Sequence, residues 1–304
     1  MGHAGQVDEK SADARLNGWQ RLALRRLTKH AGKRPGEPLA PEDWLAYFDF
    51  STTLTSRVAH RLMRSLPASP RCGLCGAPFA GFGSRLVRPL GYRPSRKNPT
   101  LCATCVELAP PGGITTEVGV LFADVRGFTA QSELITPQEA SAVLRRLYTV
   151  AEEVLFPKAI IDKLIGDEVM ALYLPLYVSG GSWSPTDADR RTVATLMLEH
   201  ARRLLEGLGY GRSDNPLLQL GIGLDYGDAF VGNIGGKGAV SDFTAVGDVV
   251  NTASRLQSCA RGGEVMVSDR LARFLDKPAG PLEKVTVKGK QEPVAAQRVC
   301  WFDT

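Results

Sequence analysis

At 304 residues, with 43% hydrophobic and 23% charged side chains, the chain has the make-up of a globular protein and enough length for two domains. No apolar run approaches the ~18 residues needed to span a bilayer, and the first thirty residues lack the apolar segment of a secretion signal, so no membrane partner and a cytoplasmic location are expected. The net charge of +5 is divided unevenly: residues 1–112 carry 17 Lys+Arg against 8 Asp+Glu, whereas residues 113–304 carry 20 against 24, which points to two units with different surfaces.

Residues 1–12 are polar and read as disordered. From Ala12 to about His30, Leu16, Trp19, Leu22, Leu24 and Leu27 recur at roughly helical spacing. Three prolines between Gly32 and Pro41 end that helix. A second helix is predicted after Pro41, with Trp44, Leu45, Tyr47 and Phe48 on its apolar side. A third is predicted over Leu54 to Leu66, where Val58, Leu62 and Leu66 are spaced by four.

Four of the six cysteines form two Cys-x-x-Cys pairs, Cys72/Cys75 and Cys102/Cys105; Cys259 and Cys300 stand alone. Without a secretion signal this pattern favours metal binding over disulfides. Two such pairs complete a closed tetrahedral shell of four thiolates around one Zn²⁺, leaving no open position for a substrate, so the expected role is structural. The 26 residues between the pairs exceed the commonest zinc-ribbon spacing. No α/β redox pattern surrounds either pair.

Pro110-Pro111-Gly112-Gly113 reads as a linker, giving an N-terminal domain over 1–112 and a second domain over 113–304. The second opens with a strand over Val118–Ala123 that stops at Asp124. A helix follows over Pro137–Leu155, with Leu144, Leu147, Val150 and Val154 on one side. Two apolar runs, Ala159–Ile161 and Val169–Tyr173, are joined through Gly166-Asp167 as a β-hairpin; alternation puts Lys163 and Ile165 on one face and Leu164 and Gly166 on the other. After a Gly/Ser/Pro loop at Ser179–Pro185 come a helix from Asp187 to Leu208 and strands at Leu218–Leu224, Ala229–Ile234 and Phe243–Val246. A helix over Asp248–Cys259 and strands at Val265–Ser268, Val285–Lys288 and Val294–Val299 complete the series. Strand–helix–strand–strand–helix–strand order fits a two-layer α/β or α+β sandwich. Gly232, Gly235, Gly236 and Gly238 lack the phosphate-loop signature and read as a hairpin turn. The four histidines have no metal spacing and read as surface residues.

Two carboxylates fall at strand ends, Asp124 and Asp167. Side by side, such a pair can hold two divalent ions ~4 Å apart, and Mg²⁺ needs only one or two protein carboxylates beside substrate phosphates. The turn after Val125, opened by Gly127 and followed by Phe128 and Thr129, can offer successive backbone N–H groups to a triphosphate. Asn251 and Arg255 lie four apart and share a helix face.

Three segments, Phe122-Ala123-Asp124-Val125-Arg126-Gly127-Phe128-Thr129, Lys163-Leu164-Ile165-Gly166-Asp167 and Gly247-Asp248-Val249-Val250-Asn251-Thr252-Ala253-Ser254-Arg255-Leu256, resemble in order and spacing the signature blocks of class III nucleotidyl cyclases. The likeness covers residues 117 to about 299. It implies an α+β, ferredoxin-like (βαββαβ) catalytic domain that turns a nucleoside triphosphate into a cyclic nucleotide and pyrophosphate. By the resemblance, Asp124, Asp167 and the Val125 carbonyl bind two Mg²⁺ (or Mn²⁺), one activating the ribose 3′-hydroxyl and the other neutralising phosphate charge. Asn251 orients the ribose, Arg255 stabilises charge growing on the α-phosphate, and Lys288 pairs with the terminal phosphates. Lys163 and Thr244 choose the base. A lysine has only donors and suits adenine N1, while a threonine hydroxyl can accept from the adenine amino group. Guanylate-specific relatives place glutamate where Lys163 stands, and threonine at 244 resembles a bacterial-type subgroup, so ATP is the expected substrate. A hydroxyl also donates, which keeps GTP as the alternative.

Members of this family build the site between two catalytic domains. One chain carrying both residue sets implies a homodimer with two equivalent sites. The N-terminal unit, helical with a four-cysteine zinc module, more loosely resembles cysteine-rich stretches ahead of some bacterial cyclases and is expected to regulate or dimerise the catalytic part. A cyclase-like module that binds nucleotide or a partner without turnover is opposed by the complete residue set. Nucleic acid is not an expected partner, since the basic unit has neither a recognition helix nor regularly spaced aromatics.

Overall fold

The computed structural model describes residues 70–107, 112–180, 184–212, 216–235, 241–286 and 292–302, with residues 32, 40–48, 61–63 and 65–66. The helix predicted over residues 12–30 lies outside them, as do most of the one predicted over 54–66 and Lys288. The chain divides into two compact units, Met1–Thr115 with Phe230–Ala245, and Thr116–Ala229 with Val246–Thr304.

In the first unit, helix α1 (Pro41–Phe48) starts at the expected proline, and Trp44 is buried. The cysteine pairs sit on two short antiparallel turns. One closes with Cys72 N–H donating to the Ala77 carbonyl (2.8 Å), the other with Ser95 N–H donating to Leu101 (2.8 Å), and Gly73 N–H to Thr100 (2.9 Å) ties one to the other. A short helix, α2 (Gly81–Val87), leads off the first turn.

Strand β1 (Gly112–Val125) is longer than predicted and absorbs the glycines read as a linker. After it come α3 (Phe128–Ser132), α4 (Pro137–Leu155), β2 (Ile160–Ile165), β3 (Glu168–Tyr173) and α5 (Asp187–Gly207). Strand β4 (Leu220–Gly235) is one 16-residue strand where two were predicted. Then follow β5 (Ser241–Val246), α6 (Asp248–Cys259), β6 (Glu264–Ser268), α7 (Asp269–Ala272), β7 (Leu282–Val285) and β8 (Val294–Cys300). Gly232 is not at a turn. It lies inside β4 against β1, so close that a Cβ on Gly113 would sit 2.3 Å from the Val231 carbonyl oxygen.

The strands form one sheet in the order β2-β3-β1-β4-β6-β8-β7, with β5 paired to β4. Its first four strands and the two long helices give the βαββαβ arrangement expected from the sequence. Both helices begin with a capping box, Thr136 with Glu139 and Thr186 with Asp189, which satisfies N–H groups that a helix start leaves open. They cover one face of the sheet. Leu147, Val150, Ala151 and Val154 of α4 and Val193, Met197, Ala201 and Leu204 of α5 pack on alternate strand residues such as Leu121, Ala123, Ala171, Tyr173, Ile222 and Leu224. His200, expected at the surface, belongs instead to this layer. It is buried with its Nδ1 3.0 Å from the Tyr173 hydroxyl, and burial lowers its pKa to about 4.

On the opposite face Val120, Phe122, Met170 and Leu172 are buried, and α6 covers β6 through Leu256, Ala260, Met266 and Ala296. No described helix is long and apolar enough to cross a membrane.

Candidate active site

The face opposite the two long helices carries Asp124, next to the hairpin tip that bears Asp167. Strands β1 and β3 run antiparallel with Asp124 opposite Glu168 and Phe122 opposite Met170. The β2–β3 hairpin turns at Gly166, whose φ of 57° is the left-handed conformation glycine adopts without strain. Tyr148 of α4 holds the tip by donating to the Gly166 carbonyl. Val125 N–H donates to the Asp167 carbonyl at 3.3 Å, so Asp124 and Asp167 flank one backbone bond.

Burial first, and then the Asp167 charge, raise the Asp124 pKa to about 6. Glu168 is also raised, by burial and by Asp167. The counter-charge is Arg126, whose Nη2 lies 2.8 Å from Asp124 Oδ2. Burial and the Asp167 charge thus oppose ionisation at this strand end, a penalty that a divalent, oxygen-preferring cation would relieve. The donor set therefore fits the metal pair expected here.

A β-bulge decides where Lys163 points. Ile161 pairs with Ala171 and faces the helices, and strict alternation would send Lys163 the same way. The register shifts between them, so that Lys163 pairs with Met170 on the face that Asp124 occupies. Lys163 and Ile165 do share one face, as predicted.

Gly127, at φ 72°, turns the chain into α3; Phe128 is buried in the core and Thr129 is exposed. On α6, Asn251 is exposed and Arg255 half-buried, one turn apart. Among the described residues neither side chain has a hydrogen-bond or ion-pair partner. The helix rests on β4 at Gly223, where a Cβ would meet the Ala253 carbonyl oxygen at 2.2 Å and the Gln257 nitrogen at 2.3 Å. Thr244 lies on β5 in the other compact unit and is buried.

The four paired cysteines form their own cluster. All four are buried and free, and their sulfurs lie within 4.8 Å of one another. Cys102 N–H donates to Cys72 Sγ at 3.2 Å. Hydrogen bonds from Cys102 and Cys105 hold the Cys72 thiol well below its usual range, while Cys105 is pushed up by its bonds to Cys102 and Cys72. Four buried sulfurs this close together suit a dication that would displace their protons.

The sequence profile of the family described as Adenylate and Guanylate cyclase catalytic domain matches residues 113–299. The chain belongs to this family. An adenylate cyclase of Anabaena cylindrica is 28% identical over 211 residues, covering 63% of this chain and 40% of that protein. A germination-specific adenylate cyclase of Dictyostelium discoideum is 33% identical over 176 residues, covering 56% of this chain and 19% of that one. This chain thus spans well under two thirds of either relative. The crystal structure of the guanylyl cyclase Cya2 matches with a TM-score of 0.50 at 26% identity, over 63% of this chain and 95% of that one. Relatives of both base preferences are therefore similar to this cyclase domain.

Two features of the cyclase domain escaped the sequence reading. Arg126 was seen only as part of a motif. Its Nε lies 2.9 Å from where a Gly221 Cβ would stand, so it lies along β4 toward Asp124. The alternating pair Gly221 and Gly223 was the available signal, since bare backbone on one strand face invites something to lie against it. The other is Asp225, fully buried in β4. It accepts from Arg270 Nε at 2.6 Å, and Arg270 Nη2 also lies 3.2 Å from Asp248 in the first turn of α6. No local pattern marks that pairing.

Proposed function

We propose that this chain is an adenylate cyclase converting ATP to 3′,5′-cyclic AMP and pyrophosphate at sites shared by two copies. The observation that carries the proposal is the meeting of Asp124 and Asp167 at one sheet end, where burial first and then the Asp167 charge raise the Asp124 pKa. Asp124, Asp167 and the Val125 carbonyl would hold two Mg²⁺ (or Mn²⁺), which supply activation of the 3′-hydroxyl and neutralisation of phosphate charge when bound. Arg126 balances Asp124 from the side of β4. The first-turn N–H groups after Gly127, at Phe128 and Thr129, lack intrahelical acceptors and are directed to phosphate oxygens.

Asn251 and Arg255 act on a substrate held by the other copy. The Asn251 amide bonds the ribose, and the Arg255 guanidinium donates to the α-phosphate oxygens as charge grows there. Loss of such a donor typically costs ~10²–10³ in rate. Lys163 donates to adenine N1, Thr244 accepts from the amino group, and Lys288 meets the terminal phosphates. Cys72, Cys75, Cys102 and Cys105 hold one structural Zn²⁺, and the N-terminal part, residues 1–112, serves regulation or dimerisation of the catalytic part, 113–304.

Turnover of ATP and of GTP by the purified chain, with Mg²⁺ and with Mn²⁺, tests the substrate. Cyclic GMP made as fast as cyclic AMP would refute the choice of ATP in favour of a guanylate cyclase, the reading that the hydroxyl of Thr244 also supports. Asp124→Ala and Arg255→Ala chains, each inactive alone, are expected to regain activity on mixing; a silent mixture would refute shared sites. Elemental analysis is expected to find one zinc per chain, absent from Cys72→Ser/Cys102→Ser.

A further inference from the structure

The four-cysteine module and strand β5 belong to the same compact unit, and one side chain joins them. Lys97, in the loop between the second turn's ends, puts its ammonium 2.7 Å from Asp242 Oδ1 and 2.8 Å from the Phe243 carbonyl oxygen. Its side chain is only 16% exposed, so these charge-assisted bonds are weakly screened. The Phe243 carbonyl is one half of a peptide plane whose other half is the Thr244 nitrogen. Lys97 thus grips the rigid unit that leads directly into Thr244.

The loop bearing Lys97 is braced by the cysteine turns. Leu101 N–H donates to Asn98 (3.0 Å), and Asn98 Oδ1 accepts from Thr100 N–H (2.8 Å) and from its hydroxyl (2.7 Å). Ser95 Oγ accepts from Lys97 N–H at 3.1 Å and donates to Glu107 at 2.9 Å, while Glu107 also takes the Arg96 N–H at 2.6 Å. The next residues along are Cys102, bonded to Cys72, and Cys105. Order in the thiol cage and order in the loop are therefore one problem.

We propose that Lys97 is a positioning residue for base selection: it holds the Phe243–Thr244 peptide, and metal in the cysteine cage acts on nucleotide choice through it. The proposal rests on the reading of Thr244 as a base contact. A simple tether between two parts of one unit would hold β5 in place but would not link its order to the metal.

The test compares wild type, Lys97→Met, Lys97→Arg and Thr244→Ala as full-length chains. Each is measured for zinc content, for kcat/KM with ATP and with GTP, and for hydrogen exchange of the Ser241–Val246 amides. Metal is removed with an organomercurial and a chelator. Lys97→Met is expected to keep its zinc, lose protection in β5, and change the ATP-to-GTP ratio about tenfold, with Lys97→Arg restoring part of it. Metal removal from wild type is expected to produce the same loss of protection and the same ratio, and to change neither in Lys97→Met. Unaltered exchange and ratio in zinc-loaded Lys97→Met would overturn the proposal. So would a further full-size change on stripping metal from that variant. An unchanged ratio in Thr244→Ala would refute the base-contact reading itself and the selectivity part with it. No turnover of either nucleotide by wild type would instead sink the cyclase assignment, and exchange alone would then decide whether metal reaches β5 through Lys97.

Discussion

Gly223→Ala is the sharpest probe of how the sheet presents α6. The added Cβ would point at the helix's own hydrogen bond, 2.2 Å from the Ala253 carbonyl oxygen and 2.3 Å from the Gln257 nitrogen. Both are backbone atoms and cannot rotate away. Ordinary contact begins at 3.4 Å, and the difference from 2.2 Å means that α6 must retreat by about 1.2 Å. Overpacking of this kind costs about 1–3 kcal/mol. On the roles proposed for Asn251 and Arg255, which ride on the displaced helix, the functional cost is larger, since a 1 Å misplacement can lower turnover ~10²-fold. Gly221→Ala is the matched control on the same strand face. Its Cβ meets the movable end of Arg126 at 2.9 Å and the Ala260 carbonyl at 3.0 Å, a milder clash. Initial rates of cyclic nucleotide formation and thermal melting would be compared for the two variants. Wild-type rates in a folded Gly223→Ala chain, or equal losses in both variants, would refute the idea that bare backbone at 223 seats the catalytic helix.

Arg270→Ala strips a fully buried carboxylate, Asp225, of its ion pair. Breaking buried pairs costs ~3–5 kcal/mol, and the lower end is expected because Arg270 is itself 38% exposed. Asp225, already raised by burial, would rise further, so the variant should recover stability as pH falls toward that pKa; a wild-type melting profile would contradict this. In metal-free protein, carboxyl NMR is expected to place Asp124 near 6, lower in Asp167→Asn and higher in Arg126→Ala. A raised carboxyl pKa favours the folded state below the ordinary 3.8 and loses that contribution as pH rises to about 6. Mg²⁺ should therefore raise the melting temperature more at pH 7 than at pH 5, and a pH-independent increment would count against metal at this pair.

The amino-acid order alone determined the parts whose information is local. Helical periodicity set α4, the Gly166-Asp167 pair set the hairpin tip, and the spacing of Cys72, Cys75, Cys102 and Cys105 marked the thiol cluster. Each of these needs only neighbours within a few residues, where turn geometry and strand or helix period act. Asp124 was expected just past a strand's end and lies instead in the last ladder pair of β1, opposite Glu168. Tertiary structure decided what depends on register and on which backbone meets which. The bulge at Asp162 turned Lys163 to the face that Asp124 occupies, and bare backbone at Gly113 and Gly232 lets β1 and β4 lie close together. The pairing of Asp225 with Arg270 and of Lys97 with β5 joins residues with no shared local pattern. Charges like these find partners only after the sheet has brought distant segments together, since burial is what makes an unpaired charge costly enough to demand one.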